Sequence, residues 1–319
     1  LGGDGLDISG SNGGAIDLTT IGGSVSRNRD VGIRIGVIDD LSPFTLNMNG
    51  TTVNANQNGE GLLASVINGG LFNATIVDGS FTGNGVLTPA SGFKTTASGT
   101  NGGGTPSTAN ISFDGTDISN NSIHGLELLA NLGAEMNVDL TDVTISDNRF
   151  SGVSMGVFNA DTVGTFTMTG NNVVSDNGTL TDFDGIDIDV NNAQSMSISI
   201  AGTVQGNGND GVNINAIDTT IDAISITGDI IENGTFSGGT GDGVNISLDN
   251  TLVSAFSVLN ANVSDNSGGG LVLGAANGTL INGGLITLSS FSGNTGGSGI
   301  ELDLTDSDAP NFQIVSNTN

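Results

Sequence analysis

Apolar residues recur along this chain three places before an asparagine: Val25/Asn28, Val53/Asn56, Phe81/Asn84, Ile118/Asn121, Ile145/Asn148, Val174/Asn177, Val204/Asn207, Ile230/Asn233, Val263/Asn266, Phe291/Asn294 and Ile314/Asn317. The asparagines are 23 to 37 residues apart with a mean near 29, which is the period of a solenoid with insertions. After most of them comes glycine followed by apolar, any, apolar, as in Gly5-Leu6-Asp7-Ile8, Gly32-Ile33-Arg34-Ile35, Gly125-Leu126-Glu127-Leu128, Gly185-Ile186-Asp187-Ile188, Gly211-Val212-Asn213-Ile214, Gly243-Val244-Asn245-Ile246 and Gly299-Ile300-Glu301-Leu302. A period of two means a strand with one buried face. A second alternating run precedes the asparagine, as in Phe44-Leu46-Met48, Phe166-Met168 and Ile224-Ile226. No segment sustains a period of 3.6, so no crossover helix is expected and equivalent strands must pair with the coils above and below.

These observations predict an all-β, right-handed parallel β-helix of about eleven coils and about 29 residues per coil, running as one domain over 1–319. Glycine at the corner suits a backbone of positive φ, and the asparagines are expected to stack as a ladder from coil to coil. The Asn-x-x-x-Gly-Ile/Val/Leu unit, seen in Asn148–Val153, Asn207–Val212 and Asn266–Leu271, resembles the parallel β-helix repeat of the pectate-lyase-like superfamily. That superfamily spans pectate lyases, polygalacturonases, phage tailspikes and bacterial surface or adhesin stalks, so the resemblance specifies fold and leaves function open.

Composition narrows the function. Five Lys and Arg stand against 33 acidic residues, a formal charge of −28, and no basic run exists to neutralise phosphates, which excludes nucleic acid as a partner. No apolar run reaches the roughly 20 residues of a membrane-spanning helix, so membrane insertion is not expected. Cysteine is absent, and stacking rather than disulfides must supply stability, as in exported repeat proteins. Nine Asn-x-Ser/Thr sequons occur, Asn73, Asn110, Asn177 and Asn233 among them, in a chain rich in those residues.

Candidate chemistry concentrates before the corner glycine. Asp184, Asp210 and Asp242 hold equivalent positions in consecutive coils, and stacked carboxylates repel unless a cation binds or a pKa rises. With Asp182, Asp187 and Asp189 nearby, an oxygen-only set would suit Ca²⁺; the same aspartates could instead cap corner amides or turn to solvent. His124, the only histidine, has no second histidine or cysteine with which to hold a transition metal and reads as a solvent-facing corner residue. Residues 85–110 form the largest insertion, replacing one Gly-apolar corner, and smaller ones at 178–183 and 234–241 would project from the same edge. The equipment expected for cleaving acidic polysaccharides is sparse: the cations are Arg27, Arg29, Arg34, Lys94 and Arg149, and Trp and Tyr are absent as sugar-stacking rings.

The main reading is therefore a non-enzymatic extracellular scaffold, structural or adhesive, as a stalk or fibre subunit that contacts surface glycans. The alternative is a polysaccharide-binding or polysaccharide-cleaving β-helix that uses carboxylates at the corner edge. With Asn317 as the eleventh ladder residue and Gly5 opening the first strand, the repeat stops in phase at both ends. That predicts either a section of a longer β-helical protein or copies associating end to end.

Overall fold

A computed structural model describes residues 3–10, 14–39, 43–100, 104–178, 183–235 and 240–318, and every regular element among them is a β-strand. The strands stack in parallel ladders that form three faces of a β-helix. The first face takes the Gly-apolar-x-apolar segments, from Leu6–Gly10 and Ile33–Val37 at one end to Leu271–Ala276 and Ile300–Leu304 at the other. Eleven strands in strict order make this face, so Leu6 to Ile300 spans ten full turns of about 29 residues. The second face stacks segments such as Phe44–Asn49, Leu71–Val77 and Thr108–Asp114. The third stacks three-residue strands such as Thr52–Asn54, Ser80–Thr82 and Asp117–Ser119.

Alternation decides what lies inside. On the first face Ile33, Leu62, Phe93, Leu126, Val153, Ile186, Val212, Val244 and Leu271 form one continuous buried column. One ring from each face closes the core around the third and fourth coils: Phe93, Phe113 and Phe81 meet edge to face at centroid distances of 5.0 to 6.3 Å. Such pairs add about 0.5–1.5 kcal/mol each beyond the area they bury.

The corner between the third and first faces holds the asparagine ladder. From Asn28 to Asn266, each asparagine Nδ2 donates to the Oδ1 of the next coil's asparagine, ending on Asn294, at 2.8 to 3.1 Å. The same Oδ1 accepts the preceding asparagine's backbone N–H, and from Asn84 onward each Nδ2 also donates to a carbonyl such as Phe81 O or Ile118 O. Asn56 to Asn266 are fully buried, so the sequons at Asn177 and Asn233 lie within the core.

Two expectations change here. Positive φ belongs to the residue before each ladder asparagine, from Arg27 to Gly293, at 54 to 73°. The corner glycine has a different reason: a Cβ on Gly152 would lie 2.8 Å from both Asn177 Nδ2 and Gly185 O. The second change concerns Asn317, which is not the eleventh rung. Ile314 pairs with Ile286 on the second face, and Asn317 Oδ1 caps Ser289 N at the preceding corner, at 3.0 Å. An apolar residue three places before an asparagine also occurs by chance where the second face ends, which accounts for the short 23-residue spacing.

Residues 85–110 are not one loop either. Phe93–Ser98 is a first-face strand paired on both sides, and it splits the segment between two different corners. Its signature is missing because Thr95, fully buried, occupies an inward position where other coils place an apolar residue. The cores of the other two insertions, 179–182 and 236–239, lie outside the described residues, as does Asp182.

Removing one ladder amide leaves several buried groups unpaired, at about 1–3 kcal/mol each. Asn121→Ala is expected to cost at least about 3 kcal/mol in denaturant unfolding. Asn120→Gly, one residue earlier at φ 58°, should be neutral or stabilising.

Candidate functional site

The column preceding the corner glycine runs Ser91, His124, Ser151, Asp184, Asp210, Asp242 through consecutive coils, and each member is placed by the first-face strand that follows it. The three aspartates thus stack as their spacing implied, and each carboxylate serves the next coil. Asp184 Oδ1 accepts Asp210 N at 3.0 Å and Asn209 Nδ2 at 2.9 Å. Asp210 Oδ1 accepts Asp242 N at 2.7 Å, and its Oδ2 accepts Asn245 Nδ2 at 3.3 Å. Asp242 Oδ1 in turn accepts Gly269 N at 2.5 Å. At the far end Asp4 does the same for Val31 N at 2.9 Å, while its carboxylate also holds Arg34 in an ion pair that keeps its pKa low.

This geometry is amide capping. Calcium needs six to eight convergent oxygens. Among the described residues no three Asp, Glu or His side chains gather in a group that could hold a metal. Asp184 and Asp210 are 7% and 6% exposed, which leaves little room for an ion's remaining ligands. The described residues therefore do not fit a calcium cage.

Burial has an electrostatic consequence. Desolvation, with the charges of Asp210 and Asp187 adding to it, pushes the Asp184 carboxyl up to about 8. Burial also raises Asp187, helped by Asp189, and raises Asp242. Those two neighbours, Asp187 and Asp189, face outward on the first face and are tied to the next coil: Asn213 Nδ2 donates to Asp187 at 3.0 Å and Asn215 Nδ2 to Asp189 at 3.2 Å. Asn245 Nδ2 extends the first row to Asn213 at 3.3 Å. The result is a fixed array of carboxylates and amides across three coils.

The corner that leads into the Asp187 strand carries an aromatic stack that sequence reading missed. Phe150 and Phe183 are half-buried and nearly parallel, with centroids 4.2 Å apart and planes at 13°, and His124 meets both edge-on at 5.6 and 6.3 Å. The two phenylalanines stand at different distances from their ladder asparagines, but both lie two residues before a corner glycine, and counting back from the glycine reveals them. His124 is not the solvent-facing residue expected: its Nδ1 is buried without a hydrogen-bond partner, and burial lowers its pKa. Ser151 Oγ, the next member of the column, is also buried without a partner, so no Ser–His hydrogen bond of the catalytic kind forms.

No family model matches the chain, and no curated protein matches its sequence. Among solved structures, the A-module of the Azotobacter vinelandii mannuronan C-5 epimerase AlgE4 aligns with 96% of this chain and 91% of its own length, at 15% identity and a TM-score of 0.44. The A-module of the same organism's AlgE6 epimerase aligns over the same shares at 16% identity and a TM-score of 0.40. The parallel β-helix rests on this chain's own strand ladders, and no residue role follows from these likenesses.

Asp184 makes stability depend on pH. Its folded pKa of about 8 exceeds the unfolded value of about 3.9, so the native state holds the extra proton between the two. The stability this proton contributes is complete below pH 4 and is lost as pH rises towards 8. Asp184→Asn keeps the Oδ1 acceptor and removes the titration. Its melting temperature should exceed the parent's by a few degrees at pH 8 and should change less between pH 5 and 8. The capping geometry further predicts that a chelator leaves the parent's melting temperature unchanged, and a fall in that temperature would reinstate a stabilising cation.

Proposed function

We propose that this β-helix is a polysaccharide-binding protein, acting outside the cell, whose glycan lies along the edge between its third and first faces. One observation carries the reading: a half-exposed Phe150/Phe183 stack stands at the corner, and the strand that follows Phe183 carries the outward Asp187–Asn213 and Asp189–Asn215 rows. Binding sites for small ligands and sugars combine an apolar surface with a few fixed polar groups. A flat ring offers apolar area to the C–H face of a sugar at low entropic cost, while the paired carboxylates and amides match its hydroxyls.

Charge selects the class of glycan. A chain of formal charge −28 repels polyuronates, so the proposed ligand is neutral or carries amines. Asp187 and Asp189, whose mutual repulsion helps raise the Asp187 pKa, would gain from a nearby ammonium group. Binding is favoured over cleavage because Asp184, whose carboxyl burial pushes up to about 8, is almost fully buried with its Oδ1 committed to two donors. A proton donor for glycoside cleavage must instead reach the glycosidic oxygen.

The test is affinity electrophoresis in xylan, chitosan and polygalacturonate. Retardation by xylan or chitosan but not by polygalacturonate is expected. Phe183→Ala should weaken it about tenfold, and Asp187→Asn should weaken the chitosan interaction selectively. A protein that ignores all three polymers, or a Phe183→Ala variant that binds as tightly as the parent, would return the chain to the scaffold reading.

A further inference from the structure

The second face carries a polar feature remote from the edge just described. Asn73, Asn110 and Asn137 point outward from one column in three consecutive coils. Their side chains form a second ladder: Asn110 Nδ2 donates to Asn73 Oδ1, and Asn137 Nδ2 donates to Asn110 Oδ1, both at 2.9 Å. Thr75, Ser112 and Asp139 form the adjoining outward column. The two columns line a hollow of about 380 Å³, within the ~300–1,000 Å³ typical of small-molecule sites.

The buried ladder closes the core, but this one faces solvent, where a single amide–amide bond adds only about 1 kcal/mol. Its more specific consequence is orientation. A primary amide has two N–H donors and two lone pairs, and the ladder consumes one of each at Asn110. A second donor and a second acceptor remain on every such plane, repeated at the interstrand spacing of about 4.8 Å and held without further entropic cost. An extended hexose chain advances by a similar distance per residue and presents hydroxyls that both donate and accept.

We infer that the second face binds a neutral, extended β-1,4-linked hexose chain laid along the rod over Asn73, Asn110 and Asn137. The lining has no cation to attract a uronate and one carboxylate, Asp139. Its apolar members, Ala74 and Ile111, are buried beneath the hollow, so the exposed aromatic or aliphatic anchor that a protein partner needs is missing. This site does not depend on the Phe150/Phe183 edge.

Cellohexaose is the probe, with protein produced in a host that does not glycosylate, so that the Asn73 and Asn110 sequons stay bare. Hydrogen exchange should show protection in peptides covering 71–77, 108–114 and 135–141. Asn110→Asp, nearly the same shape but unable to donate to Asn73, should weaken cellohexaose binding about tenfold in calorimetry, with a melting temperature within a few degrees of the parent's. Phe183→Ala should bind cellohexaose as the parent does. Protection confined to peptides around 150 and 183, lost in Phe183→Ala and kept in Asn110→Asp, would overturn the second site and leave the edge standing. No binding by the parent protein, or equal binding by Asn110→Asp and parent, would overturn it as well. If Asn110→Asp melts lower by more than that, Ser112→Asn, which crowds the hollow from the adjoining column, takes its place with the same expected loss.

Discussion

Every coil of this protein depends on a buried amide. Where the third face turns into the first, the chain must expose backbone N–H and C=O groups to an apolar interior, and an unpaired group there costs several times what a hydrogen bond contributes on balance. The ladder asparagines meet that demand with one repeated side chain, whose Oδ1 takes a side-chain and a backbone donor while its Nδ2 gives to the next amide and to a carbonyl. Two other sequence features follow from it. The left-handed residue before each asparagine aims the side chain inward, and the glycine after the corner leaves space for the amide of the next coil.

Once the corner repeats, residues 26 to 37 positions apart become neighbours and every outward position becomes a column along the rod. Function in such a fold is written in columns. The same corner position holds His124, Ser151 and Asp184 in turn, and the outward first-face positions change from Lys94 and Glu127, joined in an ion pair, to the Asp187–Asn213 row. No loop or domain interface is needed to assemble a surface of mixed chemistry.

Stacking also sets the electrostatics. A chain with so few cations cannot pair its acids with bases, so carboxylates such as Asp184, Asp210 and Asp242 find N–H donors in the next coil instead. That arrangement tolerates a buried carboxyl becoming neutral, as Asp184 does through desolvation and the added charges of Asp210 and Asp187. The aspartate column therefore acts as a set of caps whose protonation follows burial.

Period, approximate coil count and the inward identity of Ile, Leu, Val and Asn were legible in the sequence, because a two-residue alternation and a fixed corner leave a local signature in most coils. Where a signature was broken or imitated, reading failed: Thr95 hid the strand at 93–98, and Asn317 copied a ladder residue at the wrong corner. The vertical stacking of Asp184, Asp210 and Asp242 was likewise readable from spacing, but the fate of their oxygens was not, since hydrogen bonds to the next coil depend on side-chain direction and depth. The shared place of Phe150 and Phe183 two residues before a corner glycine is written in the sequence, but their stacking and the Asn73–Asn110–Asn137 ladder belong to the tertiary structure. Insertions shift their distance along the chain by several residues per turn, and only the pairing of strands restores a common register.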